Sequence, residues 1–88
     1  MSNASEIFSN LEQNGVRVAA LVDKNGFTLE TKDFPPHHGY KVKVISDLAK
    51  NLASCLEDEF QSVSIMTTGD KSHLIVGLEN DLNLYVHK

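Results

Sequence analysis

The sequence predicts an α/β domain of the α+β kind: a single antiparallel five-stranded sheet with elements in the order α-β-β-α-β-β-β. Two short runs, residues 16–22 and 74–78, are apolar at nearly every position. That pattern belongs to strands covered on both faces. One longer stretch, residues 40–57, repeats apolar residues at three- and four-residue steps, the period of a helix. With 88 residues the chain suits one domain, 1–88. A chain of that size buries only about two-thirds of its unfolded surface, so its core is thin.

The elements follow in order. Residues 5–13 place Ile7, Phe8 and Leu11 on one face and end before Gly15, which predicts a short amphipathic helix. Residues 16–22 form the first strand. Asp23-Lys24-Asn25-Gly26 is a turn, because Asn-Gly accepts positive φ cheaply. Residues 27–31 alternate as a second strand with one face buried. Pro35 and Pro36 exclude regular structure over residues 32–39, since each removes a donor and restricts its predecessor. In the long helix Val42, Ile45, Leu48, Ala49, Leu52 and Leu56 form the core-facing stripe, Val44 lies off it and Cys55 sits on its flank. Glu57, Asp58 and Glu59 oppose the helix dipole and mark its end. Residues 62–67 alternate as a third strand, 68–71 turn, 74–78 form the fourth strand, 79–81 turn, and 82 to the end alternate as the fifth.

Tight turns make the sheet an antiparallel meander, with the long helix crossing between a two-strand and a three-strand unit. The doubly apolar first and fourth strands belong in the middle, and the second and third at the edges. One long helix covers one face and leaves the other to the short helix. A residual apolar patch and an unpaired third strand are expected, and both invite association.

Composition narrows the function classes. Apolar residues make up 41% and charged residues 23%, an ordinary globular balance. The net charge of −4 argues against a nucleic-acid surface and against anionic lipid. Lys41, Lys43 and Lys50 share the long helix, where a solvated face is the plain explanation. The single cysteine, Cys55, rules out an internal disulfide. No run approaches the roughly 20 apolar residues of a membrane span. Residues 1–5 lack the basic and apolar regions of a signal peptide, so cytoplasmic residence is expected.

Candidate chemistry resolves into bland alternatives. Gly69, Lys71 and Ser72 look like the end of a phosphate loop, but the earlier glycine and the following helix are missing, so a hairpin turn is expected. His37 and His38 are adjacent, which splays their rings, and with His73, His87 and Cys55 remote no zinc spacing emerges. The histidine pair can instead titrate near neutral pH. Cys55 is expected to be a buried or interface thiol, and Glu57, Asp58 and Glu59 a solvated acidic turn. No catalytic residue, cofactor or metal is expected.

The hairpin Val18-Ala19-Ala20-Leu21-Val22-Asp23-Lys24-Asn25-Gly26-Phe27, the helix core Ile45-Ser46-Asp47-Leu48-Ala49-Lys50-Asn51-Leu52-Ala53 and the two terminal strands resemble the roadblock/LC7 family. The family's apolar strand, Asp-x-x-Gly and second strand match at Asp23 to Gly26, and the resemblance covers about nine-tenths of the chain. It implies a roadblock/profilin-like fold and a homo- or heterodimer in which edge strands and long helices meet. It further implies a scaffold for small GTPases or a dynein-associated light chain. The short length, the Val44-Ile45-Ser46…Leu48-Ala49 stretch and the closing Val86-His87-Lys88 resemble small subunits of the late-endosomal Ragulator complex. The Pro35-Pro36-His37-His38 loop departs from that pattern.

The expected function is a non-catalytic dimerising scaffold that supports small-GTPase signalling or trafficking assemblies. The partner is a roadblock-fold protein, with small GTPases reached through the assembly and recruitment to the late-endosome or lysosome surface by partners. No nucleic acid and no direct membrane insertion are expected. The expected interface is Val63, Ser64, Ile65, Met66 and Thr67 on the third strand, with Val44, Asp47, Asn51 and Ser54 on the outer side of the long helix. An edge strand offers backbone hydrogen bonds and the helix offers side-chain register. The alternatives are a small-ligand sensor, with the Pro-rich loop as a lid, and a dynein-light-chain-like motor adaptor. The sensor requires a concave pocket with convergent polar groups.

Overall fold

The structure, a computed structural model, describes residues 4–69 and 71–87. Helix α1 spans Ala4–Gln13, β1 Val18–Val22, β2 Thr28–Lys32, α2 Gly39–Cys55, β3 Ser62–Thr67, β4 Lys71–Gly77 and β5 Asn83–His87. The expected order holds. Boundaries move where backbone pairing overrides side-chain pattern. β1 starts at Val18 because the Val16 amide donates to the Leu11 carbonyl and so belongs to the helix end. β4 starts at Lys71, three residues earlier than its apolar run, because the β3–β4 register continues to Thr67↔Lys71. Asp70, in that turn, lies outside the described residues, as does Lys88. Pro36–His38 forms a 3₁₀ turn where no regular structure was expected. Pro36 is tolerated because it opens that turn, where no partner for an N–H is needed.

All strands pair antiparallel in the order β2-β1-β5-β4-β3. β2 and β3 are the edges and β1 and β4 lie inside, as the apolar runs required. The final strand inserts at the centre, joining the β1–β2 hairpin to the β3–β4 hairpin. Its pattern of alternation predicts one buried face, yet Asn83 and Val86, on opposite faces, are both buried. On one face α1 packs Phe8 and Leu11 over Val16, Ala19, Leu21 and Val86. The side chain of Ile7, expected on the same stripe, lies outside the described residues. On the other face α2 and the residues before it cover Ala20, Val22 and Ile75 with Val42, Ile45 and Phe34.

Two backbone devices fix α2. At its start Gly39 lies against the β1–β2 turn so closely that a Cβ there would meet the Gly26 carbonyl oxygen at 2.5 Å. The turn itself is held by Asp23, whose Oδ1 accepts from the amides of Asn25 at 2.9 Å and Phe27 at 3.0 Å. At its end the Asp58 amide donates to Ala53 O and the Glu57 amide to Ser54 O, both at 3.0 Å. Those bonds make a Schellman closure, and Glu57 holds the left-handed position (φ 60°) that glycine usually fills.

Candidate protein-interaction face

The side of α2 that faces the sheet is Gly39, Val42, Ser46 and Ala49. This corrects the expected core stripe. Val42 and Ala49 are buried and Ile45 half-buried, but Leu48 is 58%, Leu52 65% and Leu56 75% exposed. Val44, 52% exposed, joins them at four-residue steps. Successive residues turn about 100° round a helix, so Val44 points about 200° away from Val42. A row at that spacing is a ridge of the kind that packs into the grooves of another helix. Cys55 is exposed beside it, which corrects the reading of a core-flanking thiol; it belongs to the solvent-facing side.

The expected interface residues fall as follows. Val44, Asp47, Asn51 and Ser54 all lie on the exposed side of α2. Asp47 Oδ2 accepts from Lys43 Nζ at 2.6 Å, an i,i+4 pair on the surface whose contribution is about 0–1 kcal/mol. On β3, Ser64, Met66 and Thr67 are exposed, while Val63 and Ile65 are half-buried towards α2. β3 pairs with β4, and no other strand among the described residues pairs with it. Its outer backbone groups are therefore available to a further strand. β2, the other edge, exposes Leu29, next to exposed Phe27.

Where the first half of α2 faces β3, β4 and β5 the two layers part. A cavity of about 290 Å³ lies there, lined among others by Phe34, Lys41, Ile45, Ile65, His73 and Tyr85. Its polar corner is a chain of hydrogen bonds. The Tyr85 hydroxyl is 2.7 Å from His73 Nδ1, and Thr67 Oγ1 is 3.4 Å from His73 Nε2. The His73 ring stacks on His87 with centroids 4.5 Å apart and planes 8° from parallel. His87 Nδ1 donates to the Ser72 carbonyl at 2.9 Å. Desolvation, then the neighbouring His87 and Lys71, lowers the pKa of His73 from its ordinary value, and burial raises that of Tyr85. The sequence held one signal for this corner: Tyr85 and His87 alternate along one strand, and His73 opens the apolar run of its neighbour.

The remaining candidates are structural. Gly69, Lys71 and Ser72 sit in the β3–β4 hairpin, not at a helix start. His37 and His38 do not splay; their rings meet edge-to-face with centroids 4.2 Å apart. Among the described residues no group of three or more His, Cys, Asp or Glu converges.

The chain superposes on MglB of Myxococcus xanthus with a TM-score of 0.75 at 17% identity, over 88% of this chain and 67% of that one. The gliding protein MglB of Thermus thermophilus matches with a TM-score of 0.74 at 20% identity, over 99% of this chain and 75% of that one. This is the roadblock/LC7 fold. A third roadblock-fold structure, MglB with a tetrameric arrangement, matches at 0.70 and 20% identity over 99% of this chain and 74% of that one. No protein-family model matches the chain, and no curated protein matches its sequence. Among the described residues no helix is long and apolar enough to cross a membrane.

Proposed function

We propose that the chain is a non-catalytic scaffold subunit that pairs with another roadblock-fold chain, a second copy or a different one. Through that pair it supports a small-GTPase-containing signalling or trafficking assembly, recruited to its late-endosomal or lysosomal membrane by partners. The observation that carries the reading is the ridge Val44, Leu48, Leu52 and Leu56, exposed along a helix whose opposite side is buried. Fully burying one such side chain contributes about 1.5–3 kcal/mol, so a chain with a thin core has reason to hide four of them. The interface combines that ridge and its flank, Asp47, Asn51 and Ser54, with the edge of β3 from Val63 to Thr67. The tetrameric arrangement of one MglB structure supports the view that this fold assembles with copies of itself.

The test is the mass of the purified protein in light scattering, with capture of partners from its source. A dimer or a captured roadblock-fold chain is expected. Leu52→Glu puts a charge on the ridge and Ser64→Pro removes an edge donor; both are expected to yield monomer or aggregate, while Lys24→Gln in the exposed turn keeps the wild-type mass. A wild-type monomer that captures no roadblock-fold chain sinks the proposal.

A further inference from the structure

The cavity between α2 and the sheet is open to solvent on one side, and ligand-binding clefts typically hold about 300–1,000 Å³. This one is about 290 Å³. Rigid struts hold it open. The Tyr85–His73 hydrogen bond fixes two rings on its floor, and Phe34 leans on Tyr85 with ring centroids 5.4 Å apart.

The walls define a chemical class. Val42, Ile45, Ile65 and Ile75 are aliphatic, and Phe34 and Tyr85 are aromatic, so the body of an occupant is apolar. Among the described residues no carboxylate lines the cavity, although the chain carries a net charge of −4. The exposed Lys41 does line it. Lys43, two residues along the helix, is committed to Asp47, whereas Lys41 makes no ion pair among the described residues. We infer that this cavity is a binding site for a small apolar acid, an aromatic or branched hydrocarbon body carrying one carboxylate. The body lies between Phe34, Ile45 and Ile65, and the carboxylate pairs with the exposed Lys41. Ile65 and Thr67 belong to both sites: their side chains line the cavity, and the outer backbone groups of their strand make the pairing proposed above.

The test uses the full ¹⁵N-labelled chain and two probes of one shape, phenylacetate and the neutral 2-phenylethanol. Both are expected to give saturable amide shifts at Ile65, Thr67, His73 and Tyr85. Phenylacetate is expected to bind up to about fivefold more tightly, the ratio that one exposed ion pair of about 1 kcal/mol gives. Lys41→Gln removes that preference and leaves the alcohol unchanged; added salt weakens the acid alone. Absence of saturable shifts, equal affinity for both probes, or shifts centred on Leu48 and Leu52 overturns the assignment. So do shifts that appear only on dilution, because the cavity is then filled by a side chain of a second copy.

Discussion

At the scale of single residues, the most consequential group is His73, which sits where three kinds of neighbour meet. Its ring faces Tyr85 and Thr67 by hydrogen bonding, His87 by stacking, and Lys71 through the field of its ammonium; Lys41 lines the same cavity. The loss of water and each cationic neighbour disfavour the imidazolium, so the folded protein holds the pKa of His73 below its ordinary 6.5. The unfolded chain then binds the proton more readily than the folded one. Stability from this group is complete above the ordinary value and is lost as pH falls from there through the lowered value of the folded state. The urea midpoint of the wild type is expected to drop between pH 7.5 and 5.5 by more than that of His73→Gln. Equal drops in the two proteins would show that His73 does not carry the effect.

At the scale of elements, α2 is defined by how it ends and by which side it buries. Glu57 occupies a left-handed position, which costs an L-residue other than glycine about 1–2 kcal/mol. Its carboxylate also stands at the negative end of the helix dipole with Asp58 and Glu59 beside it. Glu57→Gly relieves both, and an increase in stability of about 1 kcal/mol is expected in chemical denaturation. The end of this helix was legible in the sequence from that acidic run. Its buried side was not. Apolar periodicity assembled Val42, Ile45, Ala49, Leu48, Leu52 and Leu56 into one stripe, but the helix carries two apolar stripes separated by roughly half a turn. The structure presses one on the sheet and leaves the other in solvent.

At the scale of the whole molecule, the two layers are tied by a polar pair. Ser46 Oγ donates to Asn83 Oδ1 at 2.7 Å, and both residues are buried. Serine at the centre of the sheet-facing side of α2 is tolerable because its hydroxyl finds an acceptor on β5, the central strand. Ser46→Ala leaves the Asn83 carbonyl buried without that donor, at a cost of about 1–3 kcal/mol. A fall in Tm of about 4–8 °C per kcal/mol follows for a domain of this size. A calorimetric scan with an unchanged Tm would mean that water replaces the hydroxyl. The same tie aligns α2 across the sheet, and with Gly39 anchored at its start it leaves the ridge outward and the cavity open beneath the first turns.

The element order, both hairpins, the edge positions of β2 and β3 and the Asp23–Gly26 turn were determined by the sequence alone, because each depends on residues near one another along the chain. The edge place of the third strand followed from the doubly apolar runs of the first and fourth claiming the interior; alternation alone does not mark an edge, because the alternating fifth strand is central. Tertiary structure alone decided that β5 runs through the centre, that Ser46 is core and Leu48, Leu52 and Leu56 are surface, and that Phe34, Lys41, His73 and Tyr85 surround one cavity. Periodicity tells which side chains share a face; it does not tell which face another layer covers. That choice is made by contacts between distant segments, such as Ser46 with Asn83, whose energy no local pattern records.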